Sequence, residues 1–101
     1  MFYPQDPVRL QSEVLELLGG VAPASKVMPK ALIAPHAGYV YSGRVAGAAF
    51  AKLRANAQTI ARVVLIGPAH YVRLSGIAAP RVEAFETPLG RVPVDTRRAA
   101  K

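Results

Sequence analysis

The chain holds two histidines, and each follows a short apolar run at a point where proline interrupts it. His36 comes after Ala31-Leu32-Ile33-Ala34-Pro35, and His70 after Val63-Val64-Leu65-Ile66-Gly67-Pro68-Ala69. Neutral imidazole is the commonest protein ligand of mid-row metals, and histidine also serves as acid or base near neutral pH. The equivalent placement after two apolar runs carries more information than the spacing between them. In an open α/β sheet, ligands bind beyond the carboxyl ends of the strands. On pattern alone two readings stay open: two ordinary loop histidines bonded to backbone, or one shared metal or acid–base site.

The other chemistry-bearing residues are less pointed. Tyr39 and Tyr41 follow His36 closely, which fits one ring packing on the core and one shielding the loop, or a place in the same site. Ser42 reads as a helix cap rather than a nucleophile, because no G-x-S-x-G elbow surrounds it. Phe2-Tyr3-Pro4 reads as a packed N-terminal staple. Asp6, Glu83, Glu86 and Asp95 are too dispersed to suggest a carboxylate pair. The glycines form neither of the common phosphate-binding loops.

The elements that must position these residues are legible in outline. Asp6-Pro7 starts a helix: the carboxylate accepts first-turn N–H groups, and proline suits the first helical position. Leu10, Val14, Leu17 and Leu18 then share one face, and Gly19-Gly20 ends the helix. Val21 to Lys30 reads as a connection. Ala31–Ala34 and Arg62–Ile66 have no polar alternation, as expected of strands buried on both faces of a parallel sheet. Between them Ser42 starts a second helix, with Ala46, Ala49, Phe50 and Leu53 on one face. Gly43 and Gly47, one turn apart, let that helix approach a neighbour closely. The strand–helix–strand order makes a right-handed βαβ unit. Ser75–Ala79 is expected as a third strand, Thr87-Pro88-Leu89-Gly90 as a turn, and Val92 and Val94 as part of a half-buried strand. Asp95-Thr96 caps a further helix.

Composition bounds the class. In 101 residues, 51% are apolar and 19% charged, which excludes a disordered chain. No run approaches the ~18 apolar residues of a membrane span, and the opening residues lack a secretory signal. Without cysteine there is no disulfide, and a reducing, cytoplasmic setting fits. The net charge is +7, but the arginines are scattered and no basic run is paired with stacking aromatics. The charge therefore reads as solvated faces rather than a nucleic-acid surface.

Four motifs in this order carry a resemblance. They are Phe2-Tyr3-Pro4 with Asp6-Pro7, Ala34-Pro35-His36-Ala37-Gly38-Tyr39-Val40-Tyr41-Ser42-Gly43, Val64-Leu65-Ile66-Gly67-Pro68-Ala69-His70, and Phe85-Glu86-Thr87-Pro88-Leu89-Gly90-Arg91-Val92-Pro93-Val94-Asp95. Together they resemble the Memo family, also called AmmeMemoRadiSam system protein B, over nearly the whole chain. The resemblance implies an α/β fold similar to the class III extradiol dioxygenases, the LigB-like group. It implies that His36 and His70 are metal ligands, with iron, copper or another divalent metal as the ion. It places Phe2, and with it Tyr3 and Tyr39, along the cleft. The family's Ser-His pair in the second-histidine motif is Ala69-His70 here, which removes one hydroxyl.

The family is longer, and its further Cys and His ligands come from a later part. The expectation is thus one domain over residues 1–101 that forms the truncated N-terminal portion of a larger Memo-like fold. It is a mainly parallel sheet flanked by helices, not catalytically competent alone. The family's associations imply a dioxygenase-like oxidoreductase with a radical-SAM partner. The alternative is a non-enzymatic binding module that receives a phosphotyrosine-like or other anionic or aromatic peptide group in the same cleft. An incomplete sheet is expected to leave apolar strands exposed and prone to self-association.

Overall fold

The first helix follows from its cap and its stripe. In the computed structural model, which describes residues 2–19 and 28–99, α1 spans Pro7–Gly19. Asp6 Oδ2 accepts the Arg9 amide at 3.0 Å, and the Asp6 carbonyl accepts the Leu10 amide at 2.9 Å. Leu10 is 3% exposed, and Val14, Leu17 and Leu18 on the same face are half-buried. The end at Gly19 falls as expected; Gly20 and most of the Val21–Lys30 connection lie outside the described residues.

The chain divides into two units, 1–61 and 62–101. In the first, α2 spans Tyr39–Ala51, with a 3-10 turn at Arg54–Thr59 behind it. The helix begins three residues before the serine expected to cap it. Gly38 occupies the N-cap and offers no side chain. The first amide, that of Tyr39, donates instead to the Phe2 carbonyl at 2.8 Å. Ser42 lies inside the first turns and is buried, and its Oγ donates back to the Ala37 carbonyl at 2.9 Å. The cap has thus been supplied from another part of the chain, while the serine fastens the loop before the helix.

α1 and α2 pack against each other across glycine. A Cβ on Gly47 would lie 2.7 Å from the Leu17 carbonyl oxygen, and one on Gly43 would lie 3.1 Å from Leu17 Cδ1. The helix backbones meet at a distance only a missing side chain permits, as the spacing of the two glycines predicts.

In the second unit, β1 (Ala84–Thr87) and β2 (Gly90–Pro93) form an antiparallel hairpin. The turn lies at Thr87–Gly90, where it was expected. Thr87 Oγ1 accepts the Leu89 amide and donates to the Gly90 carbonyl, both at 3.1 Å. Gly90 has φ 133°, a conformation that side chains disfavour. The ladder extends by one bond, from the Val94 amide to the Glu83 carbonyl at 2.8 Å. Asp95 then caps α3 (Thr96–Ala99): its Oδ1 accepts the Arg98 amide at 3.3 Å. Its other oxygen lies 3.6 Å from both Arg62 Nε and Arg98 Nε.

Helices and a small sheet are both present, but the sheet is two-stranded and antiparallel. The expected parallel sheet does not form among the described residues. Residues 31–34, 62–66 and 75–79 pair with no strand. Ile33 is 100% exposed and Val64 is 87% exposed. A run that is apolar on both faces specifies burial between layers, and among the described residues no neighbouring strand supplies it.

The helix crossing gives a test. Gly47→Ala drives a methyl into a backbone oxygen and is expected to cost about 1–3 kcal/mol, the range of overpacking. Gly43→Ala meets the flexible end of Leu17 and, at ordinary contact distance, Tyr39 Cβ, and recovers up to ~1 kcal/mol of helix propensity. Urea unfolding of both variants should rank Gly47→Ala well below Gly43→Ala; equal midpoints would mean that the helices do not cross here.

Candidate functional site

The clasp between Phe2 and Tyr39 brings the N-terminal aromatics to the start of α2. Their side chains line a cleft of about 530 Å³ in the first unit, with Leu17 and Leu18 from α1, Ala46 and Phe50 from α2, and His36 from the loop between. That volume lies within the ~300–1,000 Å³ of small-molecule sites. The lining is apolar and aromatic, with His36, Ser42 and the two phenols as its polar side chains.

The cleft geometry starts from backbone. The Tyr39 amide is held by Phe2, and the Tyr41 and Ser42 amides both donate to the Gly38 carbonyl at 2.9 and 3.0 Å. With Ser42 fastening Ala37, the residues just after His36 are tied to the helix from both sides. The Tyr3 and Tyr39 rings lie 6.0 Å apart at 44°, a tilted aromatic pair. Tyr39 is half-buried and Tyr41 is 87% exposed, which separates the two tyrosines that the sequence left equivalent.

Burial pushes the Tyr39 phenol above its ordinary value of 10.0, and the Glu13 carboxylate and then Tyr3 push it the same way. The phenol thus stays a neutral hydrogen-bond donor through the whole neutral range. Glu13 is a charged residue, acting on a cleft phenol, that sequence reasoning passed over. It sits three residues after Leu10 and four before Leu17, at the edge of the apolar stripe of α1, and it is half-buried. That position was the available signal.

The structure groups Phe2, Tyr3, Tyr39 and His36 on this one cleft. His70 belongs to the second unit, is exposed, and presents its ring edge-on to Tyr71 at 6.3 Å. Imidazole is the right donor type for iron, copper or zinc. Yet among the described residues no three His, Cys, Asp or Glu side chains gather where a metal would need them. Two imidazoles fall short of the three or more ligands of a specific transition-metal site, so these residues do not complete one.

A family model described as "Memo-like protein" matches residues 1–101. A MEMO1 family protein of Aquifex aeolicus is 38% identical over 94 residues, covering 93% of this chain and 33% of its own. One from Methanothermobacter thermautotrophicus is 39% identical over 105 residues, covering 97% and 38%. Protein MEMO1 of Xenopus laevis is 40% identical over 76 residues, covering 75% and 25%. The chain spans about a third of the length of such relatives. No solved structure matches it.

The state of Tyr39 can be measured directly. In an ultraviolet pH titration of the four tyrosines, one is expected to ionise above the others. Glu13→Gln should bring it part of the way back, because burial remains. The folded phenol holds its proton longer than the unfolded one, so its contribution to stability is present below pH ~10 and is lost as pH rises beyond it. Four tyrosines titrating together would remove the buried, carboxylate-facing phenol.

Proposed function

We propose that this chain, which belongs to the Memo family, supplies two metal-binding imidazoles, His36 and His70, to a non-haem metal protein. Iron is the proposed ion, with copper or another divalent metal as the alternative. The observation that carries this is the cleft: His36 shares it with Phe2, Tyr3 and Tyr39, so one candidate ligand borders a space fit for a small aromatic group. His70 enters through its equivalent place after an apolar run and its family motif. Among the described residues no further donors gather to complete a site, and the chain alone is proposed to be catalytically incompetent.

Residues 31–34 and 62–66 are proposed as strands of a parallel, LigB-like sheet that further polypeptide completes. Their exposed apolar side chains support this, since free-standing coil gives no reason for two such runs. A dioxygenase-like oxidoreductase is the proposed class of the complete protein. A radical-SAM protein is the proposed partner, and the cytoplasm is the proposed setting. No helix among the described residues is long and apolar enough to cross a membrane.

A second proposal stands on the same cleft, that it receives a phosphotyrosine-like or other anionic or aromatic peptide group without chemistry. The aromatic walls favour it, and a chelator separates the two. Ligand binding that survives chelation supports the binding module, and binding that needs the metal supports the first proposal.

The test of the histidines is a calorimetric titration of the chain with ferrous, cupric and zinc ions. Weak binding is expected, because water must fill the rest of the coordination shell. Affinity should fall on acidification, since protonated imidazole cannot ligate. His36→Ala and His70→Ala should each weaken it further. Submicromolar, stoichiometric binding by the monomer, or binding unchanged in both variants, would overturn the assignment.

A further inference from the structure

We propose that the second unit carries a phosphate-type oxyanion site built on Arg62 and Arg98, with Asp95 as the carboxylate that gathers them. This site lies outside the cleft and stands whether or not the cleft binds anything. Asp95 Oδ2 lies 3.6 Å from Arg62 Nε and 3.6 Å from Arg98 Nε. The two Nε atoms are therefore no farther apart than twice that distance. Two guanidinium groups this near repel each other unless a negative charge sits between them. The other Asp95 oxygen accepts the Arg98 amide at 3.3 Å, which ties the carboxylate to the start of α3. Arg62 comes from the far end of the unit's sequence, so the fold and not sequence adjacency makes the pair.

One carboxylate serves two guanidinium groups, which leaves the cluster with positive charge in excess. Arg97, next to Arg98 in α3, adds to it. The other acids of the unit are Glu83 and Glu86. Glu86 faces Arg91 at 3.8 Å. Glu83 accepts the Val94 amide on its backbone carbonyl, one register position from Asp95. Setting Glu83 and Asp95 against Arg62, Arg97 and Arg98 still leaves the cluster positive. At 3.6 Å both contacts to Asp95 are ion pairs beyond hydrogen-bond length, so an incoming oxyanion has no strong directional bond to break. Each guanidinium carries five N–H donors, and only the Nε edge faces Asp95. The Arg62 and Arg98 side chains are 63% and 67% exposed, which opens the remaining donors to a solute. Planar guanidinium forks match the oxygens of phosphate, and these charge-assisted bonds are about twice as strong as neutral ones.

The test uses the whole chain at about pH 7.5, where phosphate is largely dianionic, and at constant ionic strength. Inorganic phosphate, methyl phosphate and chloride are titrated in turn, and the arginine Nε–Hε resonances are followed. With either phosphate, Arg62 and Arg98 are expected to shift together and saturate at one midpoint, while Arg73 and Arg81 stay in place. Chloride should shift neither pair. Arg62→Lys and Arg98→Lys keep the charge but remove the planar fork, and each should weaken phosphate binding about fivefold. Arg73→Lys should leave it unchanged. The hairpin amide resonances report whether each variant keeps its fold. Tighter binding of inorganic phosphate assigns the site to the free ion, and equal or tighter binding of methyl phosphate assigns it to a phosphate ester. Binding indifferent to Arg62→Lys and Arg98→Lys would leave only the general attraction of a +7 chain and overturn the inference. Separate midpoints for Arg62 and Arg98, or shifts matched by chloride, would overturn it as well.

Discussion

The amide of Tyr39 cannot be satisfied inside its own helix, and the Phe2 carbonyl satisfies it from 37 residues earlier in the chain. Every helix leaves its first N–H groups without intrahelical partners. Here Gly38 has no side chain to offer, so the requirement falls on distant backbone. One bond then fixes several things together. It carries Phe2 and Tyr3 onto the start of α2, lets the Tyr3 and Tyr39 rings meet, and closes one end of the cleft. On α1, Asp6 holds the chain that leads away from Tyr3, and Leu10 anchors that helix. The glycine contact at Leu17 sets how near the two helices come, and so how wide the cleft can be.

What was legible in the sequence was what local chemistry determines. Asp6-Pro7 and the Leu10 stripe gave α1 its start and its buried face. Thr87 to Gly90 gave the hairpin turn, because a threonine hydroxyl and a glycine at positive φ act over four residues. Asp95 gave the cap of α3. The start of α2 was not legible for the opposite reason. Ser42 has the chemistry of a cap, but the bond that starts the helix comes from Phe2, and no local pattern announces a partner so distant. The expected strand segments stay unpaired among the described residues for a related reason. Apolarity on both faces states what surroundings a run requires and is silent on whether a neighbouring strand lies within reach.

The histidines divide along the same line. His36 is placed by short-range bonds around it, the Ser42 hydroxyl on the Ala37 carbonyl and the amides on Gly38, and its place on the cleft follows from them. His70 follows an unpaired apolar segment in the second unit, so no sheet sets the direction of its loop. The two motifs look alike in sequence because each is an apolar run, a proline and a histidine. They differ in structure because only the first is followed at once by a helix that grips the loop.

Exposure of Val63, Val64, Leu65 and Ile66 is costly to maintain in water. Each such side chain is worth roughly 1.5–3 kcal/mol when fully buried, against a domain margin of about 5–15 kcal/mol. Four adjacent residues therefore hold a burial energy comparable to the stability of a whole domain, and here little of it is realised. The second unit is held instead by one short hairpin and exposed ion pairs at Asp95 and Glu86, which screening by water keeps weak. The first unit is better placed, with Leu10 buried and two helices in backbone contact. A surface able to bury segment 63–66 would therefore stabilise the second unit far more than the first. The cleft around His36, by contrast, is already built from contacts within its own unit.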